Sequence, residues 1–515
     1  MIPLSIIIKK YNETWVRLDA DPIILQAIAD EYTFKPPHMK FHPLVKSGKW
    51  DGRVKLYNIG KNLFPYGLLF KLHEWLKRKN IIIEFMDFEK SETMYSEDEI
   101  NDFAQNLKFP FALRDYQLQC IQTGLSKRKC ALLSPTGTGK SAIIYMITRM
   151  IRDRFNESNV LIMVPNLSLI QQMSGDFADY SVNIKDYSKE CQLIFAGQNK
   201  KIEKNVVIST YQSLQHLPKE YFQQFDALLV DECHTGSSVD AKAIKKIVEY
   251  CINAKYKIGT TGTIDDGLLN EISINAMYGK IYKFTNTRRE IDRGNLSDIL
   301  IHQIRLKYPE EIIKKFHKDR RQLKAVLMEQ GVEIKSQLYQ FEIKFLNELN
   351  HKKKFIGAIC QKQKDNTLIL YRRTSFGKAL FKQLKEDLKD RQIYMVYGAT
   401  PKEQREQIRK ICEANSNAII IGSYGCMSTG VNIKRLHNIV FGESCRGLIT
   451  ILQSIGRGLR KHNLKEMLCL FDIGDDFEYK DVKNIVFKHF GIRREIYDRE
   501  KFVVKDYVVE AEKYG

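Results

Sequence analysis

The sequence predicts an α/β protein: two tandem parallel-sheet domains behind a small α+β N-terminal domain, with a short helical C-terminal tail. Three observations carry that prediction. From about 108 to 290, short apolar runs bounded by turns alternate with helical stretches. A second series of the same kind begins near 355. Strands buried on both faces of a parallel sheet read as such runs. The third is size and composition: 515 residues, 43% hydrophobic and 28% charged, fit an ordinary globular chain and exclude wholesale disorder.

Residues 1–83 read as the N-terminal domain, with strands at Ile6–Ile8 and Val54–Tyr57 and a helix over Gly67–Lys79. Between 35 and 79, eleven Lys/Arg face two Asp/Glu, with Trp50 and Trp75 among the interleaved aromatics. Such a mixture suits a duplex nucleic acid: lysines neutralise phosphates, and a Gly-rich turn presents an aromatic ring. Lys46, Lys49, Arg53 and Lys55 are the candidate contacts. Trp50 either reads a junction, fills the core or serves the turn, since Asp51-Gly52 favours tight turns. Trp75 reads as core.

The sign of the charge flips over 84–107, where eight acidic residues up to Asp102 accompany Lys90 alone, and the segment reads as an acidic linker. The first α/β domain, 108–290, has apolar runs at Ala131–Leu133, Val160–Val164, Val206–Ile208, Ala227–Val230 and Tyr256–Ile258. Residues 291–354 read as a basic helical connection, ending in Lys352, Lys353 and Lys354, either a strand contact or a solvated helix end. The second α/β domain, 355–478, has runs at Thr367–Tyr371, Tyr394–Val396, Ala418–Ile421, Ile439–Phe441 and Met467–Phe471. Residues 479–515 read as a helical tail.

Lys+Arg number 82 against 62 Asp+Glu, a net charge of +20, which points to an acidic partner, nucleic acid ahead of an anionic membrane. No apolar run reaches the roughly 18 residues of a spanning helix, and Met1–Lys10 reads as a first strand rather than an export signal. The 10 cysteines include no C-x-x-C pair, so free thiols in a reducing cytoplasm are expected.

Chemistry concentrates in three motifs. Ser134-Pro135-Thr136-Gly137-Thr138-Gly139-Lys140-Ser141 follows a predicted strand and opens a helix. Its glycines let backbone amides curl around phosphates, Lys140 reaches the terminal phosphates and Ser141 holds Mg²⁺. Asp231-Glu232-Cys233-His234 ends a buried strand. Asp231 suits Mg²⁺, and Glu232 suits orienting or deprotonating a water. His234 either couples this site to the next motif or is simply packed. Gln453-Ser-Ile-Gly-Arg457-Gly-Leu-Arg460 places two arginines three apart on one helical face, the residue type that meets charge on a transferring phosphoryl group.

In this order, the three resemble motifs I, II and VI of superfamily 2 helicases and translocases. Arg114-Asp-Tyr-Gln117 resembles the family's adenine-reading glutamine motif, and Thr261-Gly-Thr263 its motif III, which links hydrolysis to motion. Pro165-Asn166 and Thr210 resemble strand-contacting motifs of the first domain. Arg372, Arg373, Ser423, Thr429, Gly430 and Asn432 resemble motifs IV and V, with Asn432 where many relatives carry Asp. Phe41 to Leu56, with Gly48-Lys-Trp50-Asp51-Gly52-Arg53, then Leu63–Leu68 and the tail Arg494–Phe502, resemble the phage UvsW-type recombination helicases.

The resemblance implies RecA-like domains, ATP with Mg²⁺ between them, and 3′-to-5′ unwinding and branch migration of branched DNA, including Holliday junctions, forks, D-loops and R-loops. Single- and double-stranded DNA and RNA–DNA hybrids are the expected partners, and a monomer in the host cytoplasm the expected form. An RNA helicase, a duplex translocase that leaves strands paired, and a scaffold with a vestigial ATPase are the rival readings.

Overall fold

The computed structural model describes residues 4–36, 43–88, 95–234, 238–265, 267–330, 334–429 and 433–515. Met1–Ser134 with Gly139–Thr285 make one compact unit, and Pro135–Thr138 with Asn286–Gly515 the other.

The first unit contains a seven-stranded parallel sheet in the order Ile281–Lys283, Lys129–Leu133, Tyr256–Thr261, Ala227–Asp231, Val160–Val164, Val206–Thr210 and Cys191–Ile194. All five apolar runs expected here are strands. Their side chains are buried on both faces, as a parallel sheet covered by helices requires.

The N-terminal domain of this unit is a four-stranded mixed sheet, ordered Phe64–Pro65, Trp15–Ala20, Ser5–Lys10 and Ile82–Met86, covered by helices Pro22–Glu31 and Leu69–Arg78. Its core takes in Trp75 and also Ile272 of the α/β domain. The two are docked by polar groups as well. Glu13 lies 2.6 Å from Lys10 and 2.5 Å from Lys129, and Lys257 donates to the Thr14 hydroxyl at 2.6 Å. A Cβ on Gly67 would come within 2.2 Å of the Asn275 carbonyl, so only glycine permits this approach. Lys129 and Lys257 stand at the starts of their strands; the phosphate loop follows the other end of Lys129–Leu133. The N-terminal domain therefore docks at the end of the sheet opposite that loop.

The acidic segment is not a linker. Glu97–Asn106 is a helix with a capping box between Ser96 and Glu99, and Ile100 and Ala104 enter the α/β core. Its acidic residues crowd the first turn, where helix N-terminal amides favour negative charge.

The second unit holds a seven-stranded parallel sheet in the order Gln392–Val396, Ala418–Ser423, Thr367–Tyr371, Asn438–Phe441, Met467–Asp476, Asp298–Lys307 and Val503–Glu510. The supposed basic connection is part of this unit. Asp298–Lys307 pairs along its length with Met467–Asp476, and the helices Glu310–Glu329 and Ile334–Glu348 form a hairpin whose Phe316 and Ile343 join the core. Lys352 and Lys353 are neither strand contact nor solvated end. Both are buried, Lys352 against Asp475 at 2.6 Å and Lys353 donating to the Asn347 carbonyl at 3.0 Å. The tail supplies a strand as well as its helix Ile485–Arg499, because Val503–Glu510 extends the sheet edge. Among the described residues no helix is long and apolar enough to cross a membrane.

Candidate nucleotide and strand-contact sites

The phosphate loop joins strand Lys129–Leu133 to helix Lys140–Arg154. Gly137 and Gly139 take φ of 87° and 82°, left-handed backbone that glycine adopts without strain. Thr138 ties the loop by donating from Oγ1 to the Pro135 carbonyl at 2.6 Å, and Ser134 N–H donates to the Thr261 carbonyl at 2.9 Å. Gln117 is buried. It accepts the Arg114 N–H at 2.9 Å, and its Nε2 would stand 2.7 Å from a Cβ on Gly139. The glutamine motif and the loop are thus packed together.

Lys140 Nζ lies 3.7 Å from Glu232 Oε1 and 3.4 Å from the Ser134 carbonyl. The Ser141 hydroxyl is 2.8 Å from that of Tyr180, and Asp231 Oδ1 accepts from Thr260 at 2.9 Å. Glu232 has a left-handed backbone, φ 51°, conformational strain of a kind found at functional sites. Burial pushes the Asp231 carboxyl up to about 6, and the neighbouring Glu232 charge adds to it. Burial also resists ionisation of Glu232, but Lys140 and His234 outweigh it and hold that carboxyl down to about 2.

These residues fit a nucleotide with Mg²⁺. The loop offers glycine-freed amides and an ammonium to phosphates. One hydroxyl and one carboxylate are the sparse protein share that Mg²⁺ takes beside phosphate oxygens and waters. Among the described residues no cluster of three His, Cys, Asp or Glu is placed to bind a metal.

His234 Nδ1 is 3.2 Å from Glu232 Oε2 and bonds the Thr261 hydroxyl, which lies 2.9 Å from the Thr263 carbonyl. The acidic motif and Thr261–Thr263 are therefore joined through His234 and also directly, the Thr261 hydroxyl lying 3.3 Å from Glu232 Oε2. Nearby, Gln212 donates to the Pro165 carbonyl at 3.2 Å. Asn166 caps helix Leu167–Tyr180, and buried Thr210 caps Tyr211–Leu214. The capping bonds use Asn166 Oδ1 and the Thr210 hydroxyl, while the buried Asn166 Nδ2 has no hydrogen-bond partner among the described residues.

In the second unit Gln453 and Arg457 lie on helix Leu448–Gly458. The helix ends there, with Leu459 as its cap, so Arg460 falls beyond it and does not share a helical face with Arg457. Its position is set by a clamp. Lys465 Nζ donates to the Gly458 carbonyl at 2.7 Å and to that of Arg460, while Ser297 N–H donates to the Leu459 carbonyl at 2.7 Å. The N–H groups of Arg372 and Arg373 both donate to Glu443 Oε2 at 2.7 Å. Ser423 Oγ accepts the Cys426 N–H at 3.3 Å, and Thr429 ends helix Tyr424–Thr429. Gly430 and Asn432 lie outside the described residues.

Sequence reasoning passed over Lys465 and Glu443. The signal for Glu443 was present: it is a carboxylate just past a buried strand, Asn438–Phe441, as Asp231 is one at the end of Ala227–Asp231.

On the N-terminal domain, Lys46, Lys49, Arg53 and Lys55 are exposed around the turns of Gly48 and Gly52, φ 69° and 74°. Trp50 is half-buried, and its indole N–H donates to the Arg53 carbonyl at 3.0 Å, so its polar edge serves the turn.

Three family models match the chain. They are DNA helicase UvsW, N-terminal, over 5–86; the res subunit of type III restriction enzymes over 110–266; and the helicase conserved C-terminal domain over 350–462. The ATP-dependent DNA helicase uvsW of Enterobacteria phage T4 is 29% identical over 511 residues, 95% of this chain and 96% of that protein. The DNA 3′-5′ translocase XPB2 of Sulfurisphaera tokodaii is 23% identical over 45% of this chain and 48% of its own length. In fold, the chain resembles the DUF1998 helicase MrfA bound to DNA, with a TM-score of 0.55, 13% identity, and 81% of this chain and 56% of that one covered. The similarity to the phage helicase runs through all three matched segments, so over nearly its whole length the chain is similar to an ATP-dependent DNA helicase.

Proposed function

We propose that the chain is an ATP-dependent DNA helicase that unwinds and branch-migrates branched DNA, with 3′-to-5′ polarity, as a monomer. The bonded chain from Lys140 through Glu232 and His234 to Thr261 carries this reading. It gives hydrolysis a physical route to the segment that follows the sheet strand Tyr256–Thr261.

In this scheme Lys140 and the loop amides hold the phosphates, while Ser141 and Asp231 hold Mg²⁺. The ion neutralises charge on the phosphates when bound. Glu232, kept ionised, orients and deprotonates the attacking water. Gln453, Arg457 and Arg460 meet the charge on the transferring group, and Gln117 with Arg114 reads the base. Gly430 and Asn432 belong to the same nucleotide contacts. Pro165, Asn166, Thr210, Arg372, Arg373, Ser423 and Thr429 line the strand path.

The choice of branched DNA is supported by Lys46, Lys49, Arg53 and Lys55. They stand exposed on a domain docked firmly to the first α/β domain, so a junction gripped there is held against the motor.

The test is ATP-dependent strand separation on a mobile four-way junction, a model fork, a tailed duplex, a blunt duplex and an RNA–DNA hybrid, with Lys140→Ala as control. Preferential processing of junction and fork, lost in the control, is the expected result. Turnover on every DNA without strand separation would make the chain a duplex translocase, and stimulation by RNA above DNA would make it an RNA helicase.

A further inference from the structure

The helical hairpin of the second unit and His489 have no part in the function above. His489 lies on helix Ile485–Arg499 and is 6% exposed; among the described residues no hydrogen-bond partner reaches its Nδ1. A buried polar nitrogen ordinarily has a partner.

Three other segments converge on it. The Tyr339 ring, on the second hairpin helix, is 5.5 Å from the imidazole. The Tyr339 hydroxyl accepts from Arg372 Nη1 at 3.3 Å, and Gln340 bonds Arg373. Lys335 sits one turn before Tyr339 on the same helix. Arg493, one turn after His489, donates to Ser444 Oγ at 3.0 Å and to the Cys445 carbonyl at 2.9 Å, which brings Arg446 alongside.

The charges nearby are mostly positive. Burial, with Arg446, Arg493, Arg372 and Lys335 adding to it, pushes the His489 imidazole down to about 4. Arg493 is neutralised by Asp472 at 2.7 Å, and Glu443 is bonded to two backbone N–H groups. Arg372, Arg446 and Lys335 remain exposed around the buried ring.

We propose that this corner of the second unit binds the backbone phosphates of a nucleic-acid strand, with Lys335 and Arg446 extending the grip of Arg372 and His489 forming the floor. The assignment rests on the DNA reading above and adds the hairpin to the strand path. A neutral imidazole protonated at Nδ1 donates one hydrogen bond to a phosphate oxygen, and the exposed cations supply charge.

The experiment is binding of a single-stranded DNA oligonucleotide to the full chain, followed by fluorescence anisotropy across a salt series. For single strands, each phosphate neutralised contributes about 0.7 to the slope of log K against log salt. The double variant Lys335→Gln/Arg446→Gln should show a slope shallower by about 1.4 and several-fold weaker binding at low salt, with the melting temperature of the parent. His489→Phe should weaken binding while keeping the parental slope, because a neutral group releases no counterion. A parental slope and affinity in the double variant would overturn the site while leaving the DNA reading intact. Failure of the parent chain to bind the oligonucleotide at all would remove both.

Discussion

Glu232 Oε1 stands 3.7 Å from the Lys140 ammonium, so the residue for phosphate charge and the residue for the water occupy one electrostatic unit. Removing either partner changes the other's surroundings. Lys140→Ala should abolish nucleotide binding and turnover together. Glu232→Gln keeps the shape but removes the base, and should lower kcat by roughly 10²–10⁴-fold with nucleotide binding retained. Steady-state turnover beside equilibrium binding of a labelled ATP analogue separates the two. A Glu232→Gln chain turning over at the parental rate would remove Glu232 from the chemistry.

His234 bonds both Glu232 and Thr261, which predicts a split between hydrolysis and work. Thr261→Val removes the hydroxyl but keeps the volume. It should leave DNA-stimulated ATP turnover within a few-fold of the parent and reduce strand separation by roughly 10–100-fold, the range of a coupling free energy of about 1–3 kcal/mol. Measuring both rates on one preparation decides it; equal losses in the two would mean that Thr261 serves the ATPase site alone.

Burial pushes Lys257 down to about 7 from an ordinary 10.5 where it meets Thr14 of the N-terminal domain. The folded-state value is the lower one, so between about 7 and 10.5 the unfolded chain binds the extra proton. Stability from this group therefore rises with pH across that window, by up to about 1.4 kcal/mol per unit, and its charging cost is fully present below it. The 3 tryptophans all lie in the N-terminal domain and report its unfolding in urea. Lys257→Met should flatten the rise between pH 7 and 9; an unchanged slope would place the titration elsewhere.

Where the fold was readable, the reason is burial. Strands such as Val160–Val164 and Ala418–Ser423 have nearly every side chain inside, so their apolar runs stand out against turns. The missed strands lack that signature. Val503–Glu510 is an exposed edge, Asp298–Lys307 alternates buried and half-buried positions, and Cys191–Ile194 and Ile281–Lys283 are short edges. Lys352 misled for another reason. A lysine run reads as solvated until its partner is known, and Asp475 is 123 positions away. The loop, the acidic motif and the Gln453–Arg460 frame were legible because each is a contiguous string with fixed chemistry. Lys465 acts by tertiary contact with backbone carbonyls, which leaves no local pattern.

The Lys465 clamp gives a fourth expectation. Its ammonium holds the carbonyls of Gly458 and Arg460, and burial pushes it down to about 8. Lys465→Met frees the segment carrying Arg460 without touching a phosphate ligand. Turnover should fall by roughly 10–100-fold with the nucleotide KM little changed, since misplacement of a catalytic group lowers the rate of the chemical step. A variant with normal kcat would show that the helix end alone fixes Arg460.

Arg493 and Asp472 are both fully buried, joined at 2.7 Å, and Tyr497 adds a third bond to the same carboxylate at 2.9 Å. This pair ties the tail helix to strand Met467–Asp476. Breaking one side of a buried pair leaves the other charge without compensation, which costs about 3–5 kcal/mol, whereas replacing both with apolar residues is often close to neutral. Asp472→Asn should therefore destabilise the second unit by about that amount, and Asp472→Leu/Arg493→Met should recover much of it. Protection of the amides of strands Met467–Asp476 and Asn438–Phe441 in hydrogen exchange reads the second unit specifically. If the double variant is as unstable as the single one, shape and not charge compensation is what the pair provides.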